Sequence, residues 1–318
     1  MNPAPDHPSL AVNSAIEGIA WQLEQTQWWT PERIAERQGR QLKALLAHAR
    51  THVPFYRERL RGRDLPEDEG WLSAWRQIPA LTRADIQASE ADETMIADAL
   101  PCGHGELREI YTSGSTGTPI RSVRTQLWEL IWSAFTVRDH LWHRRDLGGK
   151  LAGIRESGKG KALYPQGATA PSWGYSSATI FATGPMVSLN VATPVEKQAE
   201  WLQRQNPDYL VTHPSLAHTL AAHCLEKGIR LPKLKQVMTI AENLRPEARK
   251  ACRAAWNAPV ADIYSTREVG YIALQCPDHE HYHVQSEGVF WRSPPLSAAT
   301  SSCRRNWTSS NYASPRRR

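Results

Sequence analysis

The residues best suited to chemistry form a run of hydroxyl side chains and glycines just before Pro119. Its members are Thr112, Ser113, Gly114, Ser115, Thr116, Gly117 and Thr118. Glycine lets a backbone turn with its N–H groups exposed, and hydroxyls donate to anionic oxygens, so the run suits a chain of phosphates. It lacks the Gly-Lys-Ser/Thr triplet of the common phosphate loop. Taken alone, the run is also compatible with a mobile surface turn.

Two later segments place carboxylates directly after predicted strands. Residues 239–243 (TIAEN) contain Glu242, and residues 262–270 (DIYSTREVG) contain Glu268. Considered without the neighbouring motifs, Glu268 is best interpreted as a plain surface carboxylate.

A third segment, residues 276–283 (CPDHEHYH), has the composition of a zinc site. Cys276, His281 and His283 are the candidate ligands, and the two histidines would share one face of a strand. Only one thiol is present locally, so a fourth ligand such as Cys252 would have to come from elsewhere. A solvated, His-rich hairpin is the alternative, and we favour it on the sequence alone.

The elements that must position these residues follow from the hydrophobic pattern. Residues 1–104 read as a helical, aromatic part, with helix starts at Thr30-Pro31 and at Thr82, three residues before Asp85. In residues 105–290, strands are predicted at 106–112, 121–125, 209–213, 236–241 and 260–265, and helices at 127–143, 195–205, 215–227 and 246–256. This alternation predicts an α/β fold with largely parallel sheets and flanking helices. Ligands of such sheets bind beyond the carboxyl ends of the strands.

The net charge of +6 comes from the last 28 residues. Residues 291–318 hold six arginines and no acid; subtracting them from 38 Lys plus Arg leaves 32 bases against 32 acids in residues 1–290. The segment shows no helical or strand periodicity, so we expect it to be a disordered or out-of-frame tail. The balanced body argues against nucleic acid as a partner.

Cysteine usage and hydropathy favour a cytoplasmic protein. The five cysteines form no C-x-x-C pair, which fits reduced thiols, and no signal peptide is visible. Four prolines and three glycines interrupt the uncharged stretch 162–195, so we expect no membrane span or membrane partner. Its aromatic residues, including Trp173 and Tyr175, could form a wall of an acyl pocket or could belong to the core.

Taken in order, the motifs resemble those of the adenylate-forming (acyl-CoA synthetase) superfamily. The run at 112–119 is similar to its T-S-G-[ST]-T-G-x-P motif, and residues 264–270 to its Y-[GS]-x-[ST]-E-x-G segment, except that Arg267 intrudes. Residues 78–86 (IPALTRADI) and 206–215 (NPDYLVTHPS) resemble the phenylacetate–CoA ligase-like branch. The likeness spans about residues 30–290 and implies the large N-terminal domain of such an enzyme.

The resemblance implies ATP, Mg²⁺ and a thiol such as CoA as cofactors or co-substrates. Thr112–Thr118 would cradle the triphosphate, with Thr116 catalytic, while Ala241 and Glu242 would flank the adenine and Tyr264 would cover it. Ser265 and Thr266 would also contact the nucleotide, and Glu268 would hold the magnesium. The implied reaction converts an aryl or acyl carboxylic acid to acyl-AMP, and CoA or a carrier thiol then takes the acyl group. Arg121 or Arg124 would replace the lysine that many relatives carry after the loop.

The motifs that such enzymes carry further along are not found. No Arg-Tyr-x-x-Gly-Asp-like segment and no lysine follow Lys250. We therefore expect a C-terminally truncated enzyme that lacks the small C-terminal domain, with little ligase activity but some ATP or acyl binding. The alternative is a non-catalytic nucleotide- or acyl-binding protein, and nucleic-acid binding through the tail ranks last. The oligomeric state is not predicted.

Overall fold

The computed structural model describes residues 8–63, 70–90, 93–111 and 120–290. The hydroxyl and glycine run at 112–118 and the Arg-rich segment 291–318 lie outside these ranges. The described chain divides into two compact units. Unit 1 comprises residues 8–24 and 130–285, and unit 2 comprises 25–129 and 286–290. The expected boundaries at 104/105 and 290/291 stay a prediction.

The helices and strands follow each other in the order that the sequence predicts for most of the chain. The helices are α1 (Pro8–Thr26), α2 (Pro31–His52), α3 (Pro54–Arg59), α4 (Trp71–Arg76), α5 (Arg83–Glu90), α6 (Gln126–Trp142), α7 (Tyr175–Ala178), α8 (Val195–Gln205), α9 (Pro214–Lys227) and α10 (Pro246–Trp256). The strands are β1 (Leu107–Tyr111), β2 (Arg121–Thr125), β3 (Leu151–Arg155), β4 (Ala168–Ala170), β5 (Met186–Asn190), β6 (Tyr209–Thr212), β7 (Gln236–Ile240), β8 (Val260–Thr266), β9 (Gly270–Gln275) and β10 (Tyr282–Val284). Sequence analysis did not predict β3, β4, β5, β9 and α7.

Unit 1 is built on an eight-stranded sheet in the order β10-β9-β8-β7-β6-β3-β5-β4. The five strands from β8 to β5 in this order are parallel, whereas β4, β9 and β10 add to the edges in antiparallel pairs. The carboxyl ends of the parallel strands meet at one edge, which we call the carboxyl edge. The expected α/β class with a largely parallel sheet is confirmed.

Helices of unit 1 pack on both faces of this sheet. One hydrophobic cluster joins the strands to α8, α9 and α10 through buried side chains such as Trp201, Leu220 and Trp256. A second cluster joins β8 and β9 to α1 and α6 through Leu23, Phe135 and other residues. Parallel strands need cover on both faces, since each face is apolar.

Unit 2 contains the helical part and a two-stranded antiparallel hairpin of β1 and β2. The Thr30 hydroxyl accepts a hydrogen bond from the Arg33 N–H, which caps α2 as predicted. At α5, the Thr82 N–H donates to the Asp85 carboxylate at 2.8 Å and the Asp85 N–H donates to the Thr82 hydroxyl at 3.1 Å. This reciprocal pair is the predicted capping box.

No helix in the described ranges is long and apolar enough to cross a membrane.

Candidate functional site

Two of the predicted nucleotide-binding segments lie side by side at the carboxyl edge. Strands β7 and β8 are parallel neighbours, and Ile240 pairs with Ile263 at the end of their register. Tyr264 is the next residue of β8, and Ala241 is the first residue after the end of β7. The small residue predicted to flank an adenine and the tyrosine predicted to cover it therefore both directly follow this last pair, although 22 residues separate them in the chain.

The backbone after β7 turns sharply at Ala241, whose φ is +76°. The left-handed region costs an L-residue roughly 1–2 kcal/mol, so the surrounding contacts must hold it there. One such contact is made by Glu242, whose Oε2 accepts a hydrogen bond from the Ser215 N–H at 3.0 Å. Ser215 is the second residue of α9, so the Glu242 carboxylate caps the N-terminus of that helix.

Tyr264, Ser265 and Thr266 form the end of β8, and a tight turn then leads into β9. The Tyr264 side chain is 43% exposed, whereas Ser265 and Thr266 are half-buried. The Val269 N–H donates to the Thr266 hydroxyl at 3.1 Å, which closes the turn. The turn presents Glu268 to solvent, and within the described ranges its carboxylate makes no ion pair or hydrogen bond. An exposed carboxylate without a partner is available to a cation.

The residue that departs from the expected motif, Arg267, lies in the same turn. Its Nη2 is 4.0 Å from Oε2 of Glu156, which directly follows β3. Strands β7 and β6 separate β8 from β3 in the sheet. The ion pair therefore joins the ends of strands that are not neighbours, and it places a guanidinium group at the carboxyl edge.

A buried polar network joins β7 and β8 at the pair that comes just before the last pair of their register. Asp262 accepts a hydrogen bond from the Thr239 hydroxyl at 2.5 Å and another from the Tyr282 hydroxyl at 2.6 Å. Burial raises the pKa of Asp262, and these hydrogen bonds only partly oppose the shift. Sequence analysis missed this network because its members come from three strands.

The hydroxyl and glycine run lies between the paired ends of β1 and β2 in unit 2. Tyr111 and Arg121 form the last pair of the hairpin, and residues 112–120 connect them. Arg121 contacts Glu93 at 2.6 Å and Glu109 at 2.5 Å, and these carboxylates raise its pKa. Arg124 stacks over the Trp128 ring at 3.7 Å. Both arginines named as substitutes for a lysine therefore already have partners.

The uncharged stretch 162–195 is partly core. Trp173 is buried in a cluster with Tyr209 and Met186, and its Nε1 donates to the Gly149 carbonyl at 2.8 Å. Tyr175, by contrast, is 58% exposed. Trp173 and Met186 therefore belong to the core of unit 1. For the exposed residues of the stretch, a role in the wall of an acyl pocket stays a prediction.

The three predicted zinc ligands come together at the β9–β10 hairpin. One ligand atom from each of Cys276, His281 and His283 lies within 4.8 Å of the others. Cys252 is not part of this group, which corrects its suggested role as a fourth ligand. It belongs to the cluster with α9, where its Sγ contacts the Ala217 carbonyl, and burial raises its pKa to about 12.

The sheet order and the helices on both faces define a mixed α/β fold with a largely parallel sheet, and solved structures of CoA ligases share it. A structure of 2-hydroxyisobutyryl-CoA ligase in an open conformation, in complex with 2-HIB-AMP and CoA, matches with a TM-score of 0.59 at 17% identity. It covers 81% of this chain and 60% of the ligase. The postadenylation state of the same ligase with R3-HIB-AMP matches with a TM-score of 0.57 at 18% identity, over 81% and 54% of the two chains.

The chain thus spans less than two thirds of the length of these ligases. At such identities the likeness concerns the fold. A complex of VinN with L-aspartate matches with a TM-score of only 0.39, at 19% identity over 74% of this chain and 58% of VinN. No protein-family model matches the chain. No curated protein matches it either.

Proposed function

We propose that the chain binds ATP at the carboxyl edge of unit 1 and activates a carboxylic acid as acyl-AMP, for transfer to a thiol such as CoA. The observation that carries this proposal is the register of β7 and β8, because Ala241 and Tyr264 directly follow its last pair, Ile240 and Ile263. A flat, exposed aromatic ring beside a residue with a minimal side chain suits the face of a purine base. The position also agrees with the rule that open α/β sheets bind ligands at the carboxyl ends of their strands.

Each residue at the carboxyl edge has its own role in the proposed binding of ATP. Tyr264 covers the base, Ala241 leaves space beside it, and Ser265 and Thr266 offer hydroxyls at the end of the same strand. The network around Asp262 keeps the two strands in register, so Tyr264 is held in place before the nucleotide arrives. Glu242 holds the loop after β7 through its bond to α9. On the resemblance of the motifs alone, we extend the proposal to phosphate binding by Thr112–Thr118, with Thr116 acting on the reacting phosphoryl group.

Glu268 is the proposed magnesium ligand. Its carboxylate is exposed in the turn after β8, and hard cations prefer such oxygens. When bound, magnesium offsets the negative charge that develops as pyrophosphate leaves. The substrate class is an aryl or acyl acid, as in the phenylacetate–CoA ligase-like branch. The structures of 2-hydroxyisobutyryl-CoA ligase with 2-HIB-AMP and CoA support the reaction type, whereas 17–18% identity gives no guide to the acid.

ATP–pyrophosphate exchange with a panel of aryl, alkyl and 2-hydroxy acids tests the reaction. Exchange that depends on the acid, even at the low rate expected from the sequence, and that is lost in Glu268→Gln supports it. ATP binding without exchange, unaffected by Glu268→Gln, would instead establish a non-catalytic nucleotide-binding protein. A matched control is Glu280→Gln, which removes an exposed carboxylate from the β9–β10 turn and should leave exchange unchanged.

A further inference from the structure

The β9–β10 hairpin carries a cluster of soft and borderline ligands away from the carboxyl edge. The Cys276 N–H donates to the His281 carbonyl at 2.8 Å, so these residues face each other across the hairpin. His283 lies two residues beyond His281 and therefore projects from the same face. Opposite and diagonal neighbours on one face of an antiparallel pair lie within reach of long side chains. The hairpin thus points one thiol and two imidazoles toward a common position.

We infer that Cys276, His281 and His283 bind a divalent transition-metal ion of the zinc class. Zinc bonds of about 2.3 Å to sulfur and 2.0–2.1 Å to nitrogen hold tetrahedral ligand atoms roughly 3.5 Å apart. The three ligand atoms here lie within 4.8 Å of one another, so small side-chain rotations close the site. One thiolate with two imidazoles is a donor set that suits zinc, and three protein ligands leave the fourth position to water.

His283 supplies an independent indication of a missing ligand. Its side chain is buried, and its Nε2 makes no hydrogen bond within the described part of the chain. A buried nitrogen without a partner is costly, and a metal ion would satisfy it. The His283 ring also packs edge-on against Trp142 at a centroid distance of 5.5 Å and against His281 at 4.9 Å. These contacts hold the imidazole in position.

Metal binding requires neutral imidazoles and a thiolate at the three ligand residues. The Cys276 thiol loses its proton to solvent as the metal–sulfur bond forms, so binding becomes weaker as the pH falls.

A bound ion would stabilise the edge of the sheet at which β10 lies. Strand β10 has three residues and, among the residues that the structure describes, pairs with β9 alone, so few backbone bonds hold it. Metal bonds to both strands close the four-residue connection 277–280 at its base. We therefore expect the bound ion to stabilise unit 1 without contacting the proposed nucleotide site.

The experiment uses the full chain produced with a tag that contains no histidine. After dialysis against EDTA, Zn²⁺ should bind with a stoichiometry of one and raise the Tm, and Co²⁺ should give a thiolate-to-cobalt charge-transfer band. Cys276→Ser should abolish that band and weaken Zn²⁺ binding at least about tenfold. His283→Gln should weaken binding similarly but retain the band.

Two controls separate the site from adventitious binding. Cys102→Ser removes an exposed thiol in unit 2, and His279→Gln removes a neighbouring histidine outside the ligand group. Both variants should bind Zn²⁺ as the parent chain does. Substoichiometric zinc in the parent chain, or a cobalt band that survives Cys276→Ser, would overturn the inference. Far-ultraviolet circular dichroism of each metal-free variant identifies any variant that fails to fold. If one fails, the zinc stoichiometry of the parent chain decides whether the site exists.

Discussion

The Glu242 carboxylate accepts a hydrogen bond from the Ser215 N–H at 3.0 Å, which ties the loop after β7 to the first turn of α9. This bond joins two segments that sequence analysis had singled out separately, 206–215 and 239–243. It satisfies a backbone N–H that has no partner within the helix. The residue expected beside an adenine thus also has a structural role, and experiments on it must separate binding from stability.

Replacing Glu242 should therefore affect stability before any ligand is added. Glu242→Ala should lower the free energy of unfolding by about 0.5–2 kcal/mol, the usual cost of losing an N-terminal cap. Glu242→Gln keeps an acceptor oxygen and should lose less. Urea denaturation measures both. Glu226→Ala, which breaks the surface ion pair with Lys227, should change stability little, and an equal loss in that control would contradict the capping role.

Breaking a buried ion pair in unit 1 should lower the free energy of unfolding far more than breaking a surface pair. Arg145 Nη1 lies 2.5 Å from Oδ2 of Asp139, and the two side chains are 1% and 3% exposed. Asp139→Ala leaves the guanidinium buried without its counter-charge and should cost about 3–5 kcal/mol in urea denaturation. The exposed pair of Lys197 and Glu200 is the control, and Glu200→Ala should cost at most about 1 kcal/mol. Similar losses for the two variants would refute this difference.

His140 should make the protein less stable in mild acid. Burial lowers its pKa to about 4, and the charge of Arg145 acts in the same direction. The folded state therefore holds His140 neutral. The contribution of His140 to the free energy of unfolding is complete above pH 6.5 and is lost as the pH falls toward 4. Free energies of unfolding measured between pH 7 and pH 4.5 should fall less steeply in His140→Gln. The exposed His218→Gln should keep the parent slope, and a parent-like slope in His140→Gln would disprove the assignment.

Two glycines should respond in opposite directions to alanine. A Cβ on Gly184 would lie 2.3 Å from the carbonyl oxygens of Gly148 and Gly149, so Gly184→Ala must displace backbone and should destabilise unit 1. A Cβ on Gly18 of α1 would meet nothing within 4 Å. Gly18→Ala should stabilise the protein by roughly 0.5–1 kcal/mol, because alanine favours helix. Thermal unfolding of both variants checks the opposite signs.

The sequence predicted those features that depend on neighbouring residues. The bounds of α8, α10 and β2 agree with the expectation, and so do the caps of α2 and α5. Local propensity and capping chemistry decide these elements. Strand β5 was missed because it has only five residues, and the uncharged stretch 162–195 offered no clear boundary around it.

Part of the candidate site could not be predicted from residues that are close together in the sequence. Strand types and the order of the motifs placed Ala241 and Tyr264 near strand ends, but their position after one shared pair depends on which strands pair. The bonds from Thr239 and Tyr282 to Asp262 likewise join three strands. The hairpin that brings Cys276 to His281 has a short connection, so the sequence did predict that cluster.

The most direct test of the account is calorimetric titration of ATP with Mg²⁺ into the parent chain and into Tyr264→Ala. A stacked base contributes about 1–3 kcal/mol, so the variant should bind ATP roughly ten- to a hundredfold more weakly. Tyr175→Ala removes another exposed tyrosine and should bind as the parent chain does. Binding by the parent chain that depends on Tyr264 is the result we predict. No binding, or equal affinity in Tyr264→Ala, would contradict a nucleotide site at the carboxyl edge.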